Sequence, residues 1–181
     1  MHTHAAYALI EQCYRKTHAA YARPAFADFK ARHVQGEIAA TLGYRRADRE
    51  RLFLEAYLDV PIDQALRQCL GREFARRDII EIGNLASENA LAMIGLWAQA
   101  ANDLAADAEV AVAVLTAPLR SMFHRLGLTL HEIAPARAER LGASADDWGN
   151  YYALDPVVCA GFIAEGQQCL ARHRRVRRAA A

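Results

Sequence analysis

Residues 109–116, EVAVAVLT, constrain the fold of this chain more than any other stretch. Between its first and last residues the run is wholly apolar, and Val110, Val112 and Val114 are β-branched residues that favour a strand. A strand with no polar face must be covered on both sides. The fold therefore needs a layer above the sheet and a layer below it. The flanking sequence supplies helices for this purpose. Before the run, Leu91, Ile94, Ala98, Ala101 and Leu104 make the buried stripe of a helix over 88–106. Ser87 is its expected N-cap, and Glu88 suits its positive end. After the run, Thr116 and Pro118 open a second helix. Leu119, Met122, Phe123 and Leu126 recur there at i, i+3, i+4 and i+7, and Gly127 closes it. IIEIGNLAS (79–87) and LTLHEIA (128–134) read as strands on either side. Strand, long helix, strand, short helix, strand predicts an α/β domain, a central mixed sheet flanked by helices with partly parallel strands.

The rest of the chain extends this core. Residues 4–21 read as a helix with Tyr7, Ile10, Tyr14 and His18 or Tyr21 on one face, ended by Pro24. FADFKARHV and GEIAATLGYRR read as strands turning near Gln35 and Gly36. Leu52–Ala56 is expected as a strand, and PIDQALRQCLG as a short helix from Pro61 to Gly71. Residues 135–166 are less regular. They close with a strand, VVCAGFI, followed by a short helix over 163–173. With 181 residues the chain is read as one domain over 1–170 and a basic tail, 171–181, expected to be disordered.

Composition narrows the function classes. Apolar residues make up 54% and charged residues 24%, as in a globular protein, and the net charge of +1 argues against a dedicated nucleic-acid binder. The charge is uneven: Arg172, Arg174, Arg175, Arg177 and Arg178 gather in the tail, which is either a solvated end or a docking surface for an acidic partner. Cys13, Cys69, Cys159 and Cys169 form no CxxC pair, which fits free thiols in a reducing cytoplasm. No signal sequence and no apolar run of membrane-spanning length is read, so a cytoplasmic location is expected. The seven histidines never cluster with acids at ligand spacing, so no metal is expected. Ser87 lacks the G-x-S-x-G setting of a hydrolase nucleophile.

IIEIGNLAS breaks its own strand. Gly83 and Asn84 suit a bulge or a close backbone approach rather than a ladder. A bulge frees backbone N–H groups, which can face a carbonyl oxygen that gains charge during attack. It can also splay the strand from its neighbour and leave a slot. Glu81 shares a face with Gly83 by alternation and is placed as a general base, while Asn84 lies at the break itself. The chemistry suggested is acyl transfer to an amine. The structural alternative is an irregular strand whose Glu81 pairs with Arg76, Arg77 or another arginine.

The order IIEIGNLAS, long helix, AVAVLTAPLRSMFHRLGLTLHEIA resembles the core of a GNAT-type acyltransferase. The resemblance implies that a bulged fourth strand splays from the fifth and admits the pantetheine arm of acyl-CoA or acyl carrier protein. Within that superfamily the chain is similar to the acyl-homoserine-lactone synthase branch. Glu81 matches the glutamate of that branch's fourth strand, and Leu85 and Ala86 match the end of an SRFA-like run. More specifically, FLEAYLDVPIDQAL, IIEIGNLAS, LTAPLRSMFHRLGL and WGNYYALDP followed by AG resemble the thermostable hemolysin family over roughly residues 50–165. That name implies lysis of red cells, whereas the fold likeness implies a cytoplasmic acyltransferase.

Three departures sharpen the expectation. SENALAMIG lacks the glycines and basic residue with which CoA-binding GNAT enzymes hold pyrophosphate, which favours acyl carrier protein as donor. Phe123 stands where many GNAT enzymes have a tyrosine general acid, so that role falls to Tyr151, Tyr152 or His124. Asn84 stands where the lactone synthases have arginine, so S-adenosylmethionine is not carried over as a substrate.

The expected site places an acyl-phosphopantetheine thioester between strands 79–86 and 109–116, beside Leu85, Ala86, Ser87, Thr116, Arg120 and Phe123. Glu55 and Asp59 are candidate ligands of the acceptor amine. Trp148, Asn150, Tyr151 and Tyr152 are candidate pocket walls. The thioester is a co-substrate, and no permanently bound cofactor is expected. The acceptor would be a small amine or an amino acid. A lytic protein and a non-catalytic GNAT-like interaction module are the alternatives.

Overall fold

The computed structural model describes residues 2–21 and 26–179. Its elements in order are α1 (His2–His18), β1 (Asp28–Val34), β2 (Glu37–Arg46), α2 (Ile62–Leu70), β3 (Ile79–Ser87), α3 (Ala90–Leu104), β4 (Val110–Leu115), α4 (Ala117–Arg125), β5 (His131–Pro135), β6 (Val157–Phe162) and α5 (Ile163–Ala179). Short 3₁₀ segments lie between them, notably Phe53–Tyr57, Ala138–Trp148 and Tyr151–Leu154. The strands form one sheet in the order β1-β2-β3-β4-β6-β5. β3 and β4 run parallel, joined by α3, and the remaining neighbours are antiparallel. This is a mixed sheet of GNAT-like architecture with β3 and β4 at its centre.

β4 is covered on both faces, as its sequence demands. Val110 and Val112 are 0% exposed in a cluster with Leu54, Ile62, Leu66 and Val158, which joins α2 and the Phe53–Tyr57 turn to the sheet. The other face carries α3, α4 and α5, packed through Met93, Leu96, Trp97, Leu119, Phe123, Ile163 and Leu170. α1 lies over the end of β3, with Leu9, Ile10 and Ala86 in contact. Gln35 and Gly36 turn the β1–β2 hairpin at φ 53° and 88°, the left-handed geometry of a two-residue turn. Among the described residues, no helix is long and apolar enough to cross a membrane.

Several expected elements differ. Residues 52–56 are not a strand. The 3₁₀ turn Phe53–Tyr57 replaces it because carboxylates, not a neighbouring strand, satisfy its amides: Leu52 N–H donates to Glu55 at 2.8 Å, and Phe53 and Leu54 N–H donate to Glu81. The N-cap of α3 is Asn89, whose side chain accepts from Ala92 N–H at 2.9 Å. Ser87 instead stays in β3, paired with Ala40. Of the expected stripe, Ala98 and Leu104 are buried, Ile94 and Ala101 partly so, and Leu91 is 55% exposed, while the buried face also takes in Ala92, Met93, Leu96, Trp97 and Ala100. α1 ends at His18, and Tyr21 lies beyond it, 71% exposed. Pro24 lies outside the described residues. The stretch expected as a frayed tail continues α5 to Ala179, since alanine and arginine favour a helix and nothing after Gly166 breaks it.

Candidate active site

β3 and β4 pair only at Ile79–Val110, Ile80–Ala111 and Glu81–Val112. Beyond Glu81 they diverge: β3 continues on β2 to Ser87, and β4 continues on β6 to Leu115. The centre of the sheet therefore opens into a wedge whose apex is Glu81. A bulge drives the divergence. Gly43 pairs with Gly83 and Thr41 with Ala86, so β3 holds one residue more than β2 across this span. Asn84 takes the left-handed conformation, φ 48°, that the extra residue needs. Asparagine tolerates it better than most residues.

Gly83 has a different reason for being there. Its φ is not positive. A Cβ on Gly83 would sit 2.5 Å from the Phe26 ring, and one on its partner Gly43 would sit 2.7 Å from Phe26 Cβ. The two glycines form the seat of that buried ring, which carries the Arg45 guanidinium 4.5 Å from its centroid.

On the same face, Glu81 is 2% exposed. It accepts from Phe53 N–H at 2.7 Å and Leu54 N–H at 2.9 Å, and Arg45 Nε lies 3.5 Å from Oε2. The ion pair foreseen as the structural alternative is thus present, with Arg45 as its arginine. A carboxylate offers about four lone-pair sites. The two amides occupy one site on each oxygen, Arg45 lies beside Oε2, and Oε1 keeps an open site. Burial pushes the Glu81 carboxyl up to about 7, against the pull of the Phe53 amide, Arg45 and the Leu54 amide. Such a group exchanges its proton near neutrality.

Aromatic rings wall this face. Trp148 stands 5.8 Å from Phe53 and 5.1 Å from Tyr151, centroid to centroid. The Tyr57 and Tyr152 hydroxyls are hydrogen-bonded at 2.8 Å. Tyr151 donates to the carbonyl of Val114, beyond the apex of the wedge, at 3.4 Å. Burial raises the Tyr57, Tyr151 and Tyr152 phenols above their usual range, so all three stay protonated at neutral pH. The loop is docked on the end of α1: Asn150 N–H donates to His18 O at 2.8 Å, and a Cβ on Gly149 would lie 2.2 Å from that oxygen.

The helical face holds an apolar cavity of about 130 Å³. Its floor is a patch of small residues, because Ala111 pairs with Gly161 and Ala113 with Cys159. Ile82 and Leu85 of β3, Trp97 and Phe123 form its walls, the two rings stacked at 4.3 Å. Two buried donors near the wedge have no hydrogen-bond partner among the described residues: Asn84 Nδ2 and Trp97 Nε1.

The structure brings Glu81, Asn84, Leu85 and Phe123 to the wedge, with Trp148, Tyr151 and Tyr152 on the face carrying Glu81. Other expected ligands serve the fold. Glu55, 6% exposed, accepts from Leu52, Ile62 and Arg76, so no oxygen is spare for an amine. Burial pushes its carboxyl up, but Arg76 and the two amides outweigh this and hold it below the usual carboxylate value. Asp59 is exposed and pairs with Arg140 at 2.7 Å. Arg120 is spent on Glu132, Asp155 and the Leu115 carbonyl, tying the start of α4 to β5, to the end of β4 and to the turn before β6 rather than facing a phosphate. Ser87 donates to backbone carbonyls of Ala39 and Asn89, and Ala86 faces α1. Thr116, 4% exposed, is the N-cap residue of α4, and Asn150 is exposed. Sequence reasoning missed Phe26, Arg45, Tyr57 and Trp97. The small floor had a signal in the alternating alanines of EVAVAVLT. Among the described residues no group of His, Cys, Asp or Glu is arranged to hold a metal.

The model of a family described as Thermostable hemolysin matches residues 1–167. No curated protein matches the chain in sequence. Solved structures share its fold at low identity. The structure of FeeM, an N-acyl amino acid synthase from uncultured soil microbes, aligns with TM-score 0.62 and 12% identity over 92% of this chain and 94% of that one. BjaI, a CoA-dependent acyl-homoserine lactone synthase solved with MTA, aligns with TM-score 0.63 and 12% identity, covering 93% and 80%. TofI in an apo form aligns with TM-score 0.60 and 20% identity, covering 93% and 90%.

Proposed function

The chain belongs to the thermostable hemolysin family, and we propose that it is an acyltransferase, moving an acyl group from a phosphopantetheine thioester to the amine of a small molecule or amino acid. The observation that carries this reading is the wedge between β3 and β4, with an apolar cavity on one face and a carboxylate beside phenols on the other. A thioester threaded through the wedge lays its acyl chain over the floor of Ala111 and Ala113. Its carbonyl lies near the bulge, where the Asn84 amide, a buried donor without a described partner, stabilises the oxygen as it gains charge. The acceptor amine approaches from the face carrying Glu81. The C–N bond forms, the C–S bond breaks, the amine proton passes to the open site on Glu81 Oε1, and a tyrosine hydroxyl, Tyr152 or Tyr151, protonates the leaving thiolate. FeeM and BjaI, by their descriptions acyl-transferring synthases, make the same fold a precedent for this chemistry.

Acyl carrier protein is the preferred donor in this reading. The turn into α3 has no glycine, and its N-cap side chain already occupies the Ala92 N–H that a pyrophosphate would use. Lysis, which the family description evokes, would follow from a detergent-like acylated product rather than from the protein itself.

Glu81→Gln is the test. Thiol release from an acyl thioester, offered with a pool of amino acids and amines, is expected to fall by roughly 10²-fold. In the native protein kcat/KM is expected to rise through the Glu81 value of about 7 and then level off. Full activity in the variant would assign Glu81 to its ion pair with Arg45 alone.

A further inference from the structure

The cavity has a second end. Near the wedge it is bounded by Leu85, Leu115 and Phe123. At the other end it reaches Leu128, Phe162 and Gly166, beside the exposed Thr129 and Glu165. The sheet is not sealed from solvent between these ends. Ala111 and Ala113 are partly exposed in the middle of the sheet, as is Val114 on the opposite face, whereas Val110 and Val112 are 0% exposed.

Gly166 stands in the first turn of α5, where glycine weakens a helix relative to alanine. Its φ is not positive, so no left-handed turn requires it. Nor does tight packing: a Cβ there would meet only Leu128 Cδ2, at 3.7 Å, an ordinary contact. That contact points across the gap between α5 and residues 128–130. A large side chain at 166 would close the gap.

We propose that Gly166 holds the far end of the cavity open, so that a long unbranched acyl chain runs over the floor of Ala113, Cys159, Ala111 and Gly161 and emerges beside Thr129. The site then sets no upper limit on chain length, and Gly166 is the residue that determines this specificity. The proposal rests on the acyl-transfer reading, because it takes the cavity as the acyl site.

Calorimetric titration of the full chain with hexanoate, decanoate and tetradecanoate tests it without any transfer step. In the native protein affinity is expected to grow from hexanoate to decanoate, by up to about fourfold for each methylene newly buried. It should not fall at tetradecanoate. Gly166→Phe is expected to bind hexanoate like the native protein and to lose at least about tenfold for tetradecanoate, the scale of two buried methylenes or fewer. Gly166→Ala, which puts one methyl into the gap against Leu128, is expected to fall between the native protein and Gly166→Phe for tetradecanoate. The proposal is overturned if Gly166→Phe binds tetradecanoate at native affinity, if it weakens all three chains equally, or if the native protein already rejects tetradecanoate. Should Gly166→Phe not fold, Thr129→Trp closes the same opening and is judged by the same outcomes. A Glu81→Gln variant with full activity would sink the base and leave chain binding intact, so the two failures are distinguishable.

Discussion

At the scale of single residues, the acids of this protein divide by what surrounds them. Glu55 is held by Arg76 and two amides, and its carboxyl sits below the usual value. Glu81 is buried more completely, with Arg45 at a longer 3.5 Å, and its carboxyl rises to about 7. The linkage signs are opposite. Glu55 adds stability that is present above its unfolded value and is lost as pH falls through its lowered folded value. Glu81 binds its proton more tightly folded than unfolded. Its burial therefore favours folding below the unfolded value of 4.5, and that contribution is lost as pH rises from there to about 7. A second residue-scale consequence concerns Gly83. Gly83→Ala places a methyl 2.5 Å from the Phe26 ring, an overpacking expected to cost about 1–3 kcal/mol. The change in urea midpoint measures it, and Phe26→Leu in the same chain should recover part of the loss. An unchanged midpoint would show that the ring moves freely off its seat.

At the scale of elements, the bulge in β3 does what no single side chain does: it ends the β3–β4 ladder after Glu81–Val112 and turns a continuous sheet into a wedge. Its backbone requires a positive φ at residue 84, which glycine meets without strain. Asn84→Gly therefore separates geometry from chemistry. The variant is expected to keep the native melting temperature within a few degrees while thioester turnover falls by about 10²-fold, the scale of losing one oxyanion donor. Turnover at the native level would restrict Asn84 to shaping the strand. The Phe53–Tyr57 turn is the second decisive element. Two of its amides close on Glu81, so the turn that carries Phe53 and Tyr57 is fixed to the apex of the wedge.

At the scale of the whole molecule, the two faces of one sheet differ: an apolar cavity lies under α3, α4 and α5, and an aromatic wall with one carboxylate lies opposite. The wedge is the passage between them. In the proposed reading the thioester arm comes from a carrier that docks outside it, and the turn before α3 offers no glycine-rich cradle for a pyrophosphate. The expected outcome is a higher kcat/KM with acyl carrier protein than with CoA bearing the same acyl chain. Both donors are to be measured at one salt concentration, then again at high salt to expose charge attraction, which is screened over about 8 Å at physiological ionic strength. Equal values, or a preference for CoA, would overturn the carrier-protein reading.

The sequence by itself determined the layered architecture. EVAVAVLT reads as a covered strand, the apolar runs on either side as its covering helices, and Gly83 with Asn84 as a bulge or a close backbone approach, because these are local properties of period and backbone preference. Only the tertiary structure decided which acids keep an open hydrogen-bond site. Glu55 and Glu81 look alike in sequence, and their difference lies in Arg76, Arg45 and the amides that reach them from 3 to 36 residues away. The same is true of Gly83, whose reason is a ring 57 positions earlier in the chain, and of the strand expected at 52–56, where two carboxylates replaced a ladder. Period and propensity act between neighbours along the chain. Burial, which sets the proton affinity of a carboxyl and the room beside a glycine, is a property of what packs there from elsewhere.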